Sequence, residues 1–124
     1  MQVNQVYEQA HQAGLNAVLS ANVTPMIVTE RANPLDDSSS VKRAYFVDDG
    51  VCGFASVQIK PANSKFAKFL LERQLARKDS YRGGIAMPVR EFNQSLQKKE
   101  AYAYAFSSVL NANGVKSYVE SRLD

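Results

Sequence analysis

The stretch VCGFASVQIKPANSKFAKFLLERQLARKDSYRGGIAMPV, residues 51–89, decides the fold class of this chain. From Val51 to Ile59, small and apolar residues occupy every second position, which is the period of a half-buried β-strand. These positions predict a core-facing side, and Phe54 on the opposite side indicates that the second face is partly covered too. Pro61 ends the predicted strand, because proline cannot donate to a β-ladder. A helical pattern and another strand follow, so the stretch predicts an α+β fold.

The predicted helix begins after a polar residue that can cap it. Asn63 or Ser64 can accept a backbone N–H at the N-terminus, and apolar residues at helical spacing face one side. Lysine and arginine occupy the other side, and we expect the helix to end near Lys78. Residues 79–84 predict a turn, and residues 85–89 predict a short strand that Pro88 places at a sheet edge.

A hairpin is predicted immediately before the helix. Residues 42–47 and 51–59 resemble strands, and Asp48, Asp49 and Gly50 lie between them. Asp-Gly in this position favours a tight turn, because such turns need positive φ angles. Residues 24–29 predict a further short strand, and the polar segment 31–40 predicts a mobile loop.

The outer parts of the chain predict two helices and a final strand. Apolar residues at three- and four-residue steps indicate a helix over residues 3–21 and another over 95–111. Asn113-Gly114 is a typical helix stop, and alternation over 115–120 indicates a half-buried strand. The predicted order is α-β-β-β-α-β-α-β in one domain, residues 1–124. We expect a mixed sheet of four or five strands, helices mainly on one face, and a crossover joining parallel strands at the C-terminal end.

The distribution of charge singles out the middle of the chain. The net charge is +3, but residues 60–99 hold ten lysines and arginines against Glu72, Asp79 and Glu91, whereas residues 1–59 are net acidic. Such asymmetry predicts an electropositive region that attracts phosphates or acidic partners. The alternative interpretation is a solvated basic helix with no ligand.

The candidate binding residues lie along this helix and the turn after it. They are Lys68, Arg73, Arg77, Lys78, Tyr81, Arg82, Gly83 and Gly84. Lysine and arginine can contact phosphates, tyrosine can stack on a base, and glycine lets backbone N–H groups approach a ligand. Tyr118 and Arg122 fall on one side of the last predicted strand and form a possible second surface.

Several common chemistries lack the residues that they need. The single cysteine, Cys52, allows no intramolecular disulfide and is expected to be a small buried hydrophobe in its strand. The single histidine, His11, is expected to be exposed or to cap a helix, and zinc sites need more cysteine and histidine ligands. No phosphate-loop or dinucleotide fingerprint occurs. With neither a signal peptide nor a membrane-spanning stretch, the sequence predicts a cytosolic protein that contacts no membrane and needs no cofactor.

Part of the chain resembles a known group of small proteins. GFASVQIKPANSKF (residues 53–66), the Gly-Gly turn, QSLQKKEA (94–101) and the closing SRLD (121–124) are similar to segments of small proteins encoded by bacteriophages and prophages. The resemblance covers about residues 45–124 and carries over no catalytic residue. It implies a bacterial cytoplasm during infection, and a role in phage replication or against host defence.

These observations favour a non-enzymatic protein that binds a phosphate-bearing ligand, either nucleic acid or a nucleotide. The alternative is a protein–protein interaction module, such as an inhibitor of a host factor, or a self-assembling oligomer. An enzyme would need a carboxylate or tyrosine mechanism, and the sequence singles out no pair of residues for one.

Overall fold

The computed structural model describes residues 2–21, 51–92 and 95–123, together with the backbone of strands at 26–31 and 41–47. Within these residues the chain forms three helices and six strands. They are α1 (Val3–Ser20), β1 (Met26–Arg31), β2 (Val41–Val47), β3 (Gly53–Lys60), α2 (Lys65–Glu72), β4 (Arg77–Lys78), β5 (Ile85–Pro88), α3 (Leu96–Ala112) and β6 (Lys116–Leu123). The predicted α+β class is confirmed.

The main sheet has four strands in the order β4-β5-β3-β6, and each strand runs antiparallel to its neighbours. The prediction of a mixed sheet was therefore wrong. From β3 onward the elements follow the order β-α-β-β-α-β, which is that of the ferredoxin-like or split βαβ arrangement. The helix α3 does connect two parallel strands, β5 and β6, as predicted, but β3 lies between them. This inserted strand makes every hydrogen-bonded pair antiparallel.

The predicted hairpin between residues 42–47 and 51–59 does not form as a strand pair. Instead β2 pairs with β1 in a separate two-stranded antiparallel sheet. β3 is hydrogen-bonded to β5 on one side and to β6 on the other. Because a strand has only two edges, none remains for β2. Residues 48–50, which carry the predicted turn, and residues 32–40 of the predicted mobile loop lie outside the described residues.

The helices cover one face of the main sheet, as predicted. α3 packs on β3 and β6, and α1 packs on α3. At the point of closest approach, Gly14 of α1 faces the ring of Tyr102, where a Cβ would overlap the ring. The residues that fill this core include Val6, Ala10, Val57, Ile59, Phe66, Leu70, Ile85, Tyr102, Phe106 and Leu110.

The helix α2 is shorter than predicted. Ser64 caps it as expected, with its hydroxyl accepting from the N–H of Ala67. The helix ends at Glu72, because Gln74 adopts a positive φ of 59° and the N–H of Leu75 turns back to the carbonyl of Leu70. This reversal packs the apolar side chain of Leu75 against the core. Arg77 and Lys78 therefore lie on a strand, not on a basic helix.

The start of β3 also differs from the prediction. Val51 is 40% exposed because the strand begins only at Gly53. Cys52 is exposed as well, and forms an isolated bridge with Ser95 instead of filling a buried site.

At the other end of the fold, α3 stops at Ala112, directly before the predicted Asn113-Gly114 stop. Across the described residues, no helix combines the length and apolarity needed to span a membrane.

Candidate functional site

The face of the main sheet that the helices leave uncovered is the most distinctive surface of the molecule. In the ladder between β3 and β6, Phe54 pairs with Arg122, Ser56 with Glu120, and Gln58 with Tyr118. Residues directly opposite in an antiparallel pair project on the same side. These side chains therefore share one face, opposite to the core side chains of the same strands. We call this surface the open face.

The open face contains a concave site with a volume of about 510 Å³. Its floor is formed by the middle strands, and the turn between β4 and β5 forms one wall. The lining residues that bear on its chemistry are Phe54, Gln58, Arg77, Arg82, Glu120 and Arg122. A cavity of this size suits a small molecule or a short segment of a polymer.

Exposed aromatic rings on and beside this face lie close to cationic side chains. Phe54 is 42% exposed, with the Arg122 guanidinium 5.1 Å and the Lys99 ammonium 5.3 Å from the ring centre. The ammonium of Lys60 lies 5.8 Å from the ring centre of Tyr118. These distances fall within the range of cation–π attraction. The face therefore offers flat rings and positive charge side by side.

Arg82 crosses the open face from the turn to the far strand. Its guanidinium lies 3.5 Å from a carboxylate oxygen of Asp79 and 3.5 Å from one of Glu120. Since Glu120 is on β6 and the turn joins β4 to β5, the side chain reaches across β3, which lies between β5 and β6. The ion pair with Glu120 is long and about half exposed, which makes it a weak interaction.

Backbone amides of the turn 79–84 already donate to a carboxylate of the turn itself, that of Asp79. The Asp79 carboxylate accepts the backbone N–H of Tyr81 at 3.0 Å and of Arg82 at 2.9 Å, and the N–H of Gly83 donates to the carbonyl of Asp79. The Arg82 backbone N–H is the main cause that lowers the pKa of Asp79, with smaller contributions from Tyr81 and the Arg82 side chain. These amides are therefore used within the chain, and the turn does not form an empty phosphate cradle.

The two glycines of this turn differ in their surroundings. Both have positive φ, 78° at Gly83 and 68° at Gly84. A Cβ at Gly84 would overlap the carbonyl oxygen of Ile59, whereas a Cβ at Gly83 would meet nothing within 4 Å. Gly84 therefore allows the turn to pack tightly against β3. This is a structural reason for a glycine that the sequence linked to ligand access.

Gln58 occupies the centre of the open face and is almost completely buried, at 2% exposure. Its Nε2 donates to the hydroxyl of Ser56 at 3.0 Å. Its Oε1 is the buried side-chain atom that lacks a hydrogen-bond partner among the described residues. A buried acceptor without a donor is unfavourable, and native proteins contain few of them. This oxygen therefore marks a place where a donor is missing.

The structure divides the residues that the sequence grouped together. Arg77, Lys78 and Arg82 line the cavity of the open face, and Tyr81 is 90% exposed on its turn. Tyr118 and Arg122 share a face, as predicted, and it is the open face.

Lys68 and Arg73 lie elsewhere. Lys68 lines a shallow groove between α2 and the start of α1. The Arg73 guanidinium lies 4.7 Å from the ring centre of Phe69. The predicted residues therefore lie on two separate surfaces, since α2 ends between Lys68 and Arg77.

Sequence reasoning missed Phe54, Gln58 and Glu120 as parts of the site. The alternation along residues 51–59 placed Phe54 and Gln58 on the second side of the strand, and this was the available signal. This signal predicts a partly covered second face, whereas the described helices leave that face uncovered and Phe54 is 42% exposed; Gln58 is buried there. Which residues of other strands meet that face depends on the strand order, and no local pattern specifies this order.

A buried aromatic cluster lies on the helix side, away from this site. The Nδ1 of His11 lies 2.5 Å from the hydroxyl of Tyr102, and the His11 ring stacks on Tyr7. His11 is therefore half-buried between α1 and α3, neither exposed nor a cap. Burial raises the pKa of the Tyr102 hydroxyl, and the nearby Tyr7 and Glu91 add to this effect. Among the residues with described side chains, no group of three metal-ligating residues is found.

In a comparison with known proteins, no family model, no curated protein and no solved structure matches the chain.

Proposed function

We propose that this protein binds single-stranded nucleic acid on the open face of its four-stranded sheet, as a binding protein and not as an enzyme. The observation that carries the proposal is the combination of exposed aromatic rings, flanking cations and a buried unpaired amide oxygen on one concave surface. Stacking platforms within positively charged grooves are the usual means of binding single strands.

The charge of the surface complements a phosphate backbone. The surface carries more cationic side chains than carboxylates, which are those of Asp79 and Glu120. The cationic residues are Lys60, Arg77, Lys78, Arg82, Lys116 and Arg122. Neutralisation of phosphates by lysine and arginine releases counterions and gives most of the affinity of non-specific binding. The weakly paired Arg82 adds a guanidinium that a phosphate can take over from Glu120.

The aromatic rings favour a single strand over a duplex. Phe54, Tyr81 and Tyr118 are the large aromatic side chains exposed on or beside this face. An exposed ring can stack only on a base that is free of its own stack, as in single strands and loops. Four-stranded sheets with exposed aromatics bind RNA in this way in other proteins. That similarity is an analogy of architecture, and the argument rests on the side chains.

The proposal is tested by fluorescence anisotropy with labelled single-stranded DNA and RNA of about 15 nucleotides at low salt. Two double variants remove the same charge from different places: Arg77→Ala with Arg122→Ala on the open face, and Lys65→Ala with Lys68→Ala on α2. We expect the first pair to weaken binding about tenfold or more, because phosphate contacts contribute steeply at low salt. The second pair should weaken it less than about threefold.

Equal losses in the two double variants would contradict the proposed site, because they would show attraction to overall charge alone. The variant Phe54→Ala tests the contribution of base stacking independently of charge. Loss of stacking on one base should weaken binding by about tenfold without changing the salt dependence. Binding to mononucleotides with the same affinity as to the oligonucleotide would favour a nucleotide ligand. Failure to bind either ligand would favour the alternative of a protein partner or an oligomer.

A bacterial cytoplasm during phage infection is the setting in which we place this function. It rests on the resemblance of residues 45–124 to small phage-encoded proteins. Recovery of oligonucleotides with the protein after expression in bacteria would support this setting, whereas recovery of protein free of nucleic acid would weaken it.

A further inference from the structure

Gln58 has a feature that general affinity for nucleic acid does not require. Resting on the function proposed above, we infer that Gln58 reads the edge of a bound base and selects bases that carry an exocyclic amine. The ligand class is therefore a single strand with cytosine, adenine or guanine, in preference to thymine or uracil, at the central position of the open face.

The first argument is the state of the Gln58 amide. Its side chain is 2% exposed, and its Oε1 has no donor among the described residues. The same residue lines the cavity of the open face. An acceptor that is buried beside a cavity and left unpaired is satisfied when a ligand brings a donor to it.

The second argument is the orientation of the amide. The Nε2 group donates to the Ser56 hydroxyl at 3.0 Å, which turns the carbonyl oxygen away from Ser56. Ser56 is thereby a positioning residue, because it determines which end of the amide is free. Because one N–H of the amide is engaged by Ser56, the atom left without any partner is the carbonyl oxygen, which accepts from N–H donors.

The third argument is the position of Gln58 in the ladder. It pairs directly with Tyr118, and Phe54 lies on the same side of the same strand. Directly opposite side chains have Cβ atoms about 5 Å apart. A base that stacks on the Tyr118 ring therefore has its edge close to the Gln58 amide. Arg82, which crosses the face above, would release its long ion pairs with Asp79 and Glu120 as the nucleic acid enters.

The chemistry of the bases then determines the preference. Cytosine, adenine and guanine project an amino group from their pairing edge, and this group can donate to a carbonyl oxygen. Thymine and uracil carry their N–H between two carbonyl oxygens, and these oxygens would face the Gln58 oxygen. The unpaired acceptor therefore favours cytosine over thymine, although the two bases are similar in size.

The experiment compares decamers of deoxycytidine and deoxythymidine, dC10 and dT10, by competition at one salt concentration. We expect the wild-type chain to bind dC10 about three- to tenfold more tightly, the value of one hydrogen bond to a buried acceptor. In Gln58→Met the ratio should fall to about one, because the hydrogen bond that favours dC10 is lost. In Ser56→Ala, which leaves Gln58 in place, the ratio should fall to an intermediate value.

Thermal unfolding separates this role from a structural one. Because Gln58→Met removes an unpaired buried oxygen and keeps the length of the side chain, its melting temperature should equal or exceed that of the wild type. A Gln58→Met protein that unfolds easily would make Gln58 a structural residue and would overturn the inference. The variant Ser56→Ala then tests the orientation of the Gln58 amide alone, because Gln58 itself is kept.

The outcomes distinguish this inference from the proposed function. Equal binding of dC10 and dT10 by the wild type, a preference for dT10, or an unchanged ratio in both variants would overturn the role of Gln58 and leave the binding surface standing. Absence of binding to both decamers would overturn the proposed function and the inference together.

Discussion

The two sides of strand β3 have opposite characters, although they belong to the same eight residues. On the helix side, Ala55, Val57 and Ile59 are almost completely buried among apolar side chains. On the open face, Phe54 is partly exposed beside the Arg122 guanidinium, and Gln58 is buried without a described helix above it. The comparison shows that the described helices bury the first side and leave the second uncovered. The first side holds the fold together, and the second is available for a ligand.

The largest expected effect comes from truncating the helix side of β3. Ile59→Ala should lower the free energy of unfolding by about 2–5 kcal/mol, because a fully buried side chain is replaced by a cavity. Chemical denaturation measures this change. The matched variant on the other side, Phe54→Ala, should lower stability by less than about 1 kcal/mol while weakening binding to nucleic acid. Equal destabilisation by the two variants would break the distinction between a core side and a ligand side.

A smaller effect is expected at the turn that packs against β3. Gly84→Ala and Gly83→Ala both force alanine into a positive φ, which disfavours each variant by about 1–2 kcal/mol. Gly84→Ala also pushes a Cβ into the carbonyl oxygen of Ile59, so it should destabilise the protein by roughly 1–3 kcal/mol more. Thermal or chemical unfolding of the two variants gives this difference directly. If both variants lost the same stability, the close approach of the turn to β3 would be wrong.

The smallest effect is expected at Asp79, at the rim of the open face. Its pKa in the folded protein is lowered, first by the backbone N–H of Arg82. A carboxyl with a lowered pKa stabilises the folded state above its ordinary value of 3.8, and this contribution is lost as the pH falls through the lowered pKa. Asp79→Ala should therefore be less stable than the wild type at neutral pH. The difference in stability between the two proteins should disappear in strong acid, and unfolding measured across a pH series tests this. A difference that does not depend on pH would contradict the role of the carboxylate.

Much of the local structure could be predicted from the sequence, because local patterns encode it. Ser64 as a cap, Asn113-Gly114 as a stop and the alternation before Ile59 each describe what a few neighbouring residues do. The predictions of local structure were wrong where contacts with residues far apart in the chain override the local pattern. Arg73 and Arg77 are four residues apart and fit one helix face, yet Leu75 reverses the chain between them to reach the core.

The candidate site could be predicted only in part, for the same reason. Local charge identified Arg77, Lys78, Tyr81 and Arg82, and alternation identified Tyr118 and Arg122. Their meeting on one surface depends on β6 pairing with β3, which brings Arg122 opposite Phe54. Lys68 carries the same charge but faces a different groove, and charge alone could not separate it from Arg77.

The sequence by itself determined the α+β class, the main helices, most of the strands and the position of the excess positive charge, because these depend on periodicity and composition. The tertiary structure decided which strands are neighbours, since a strand has two edges and β3 gives both to β5 and β6. It also decided which positive residues share a surface with exposed rings, and that the amide of Gln58 is buried there without a donor. These properties arise from contacts between residues far apart in the chain, and they are the ones that give the open face its proposed function.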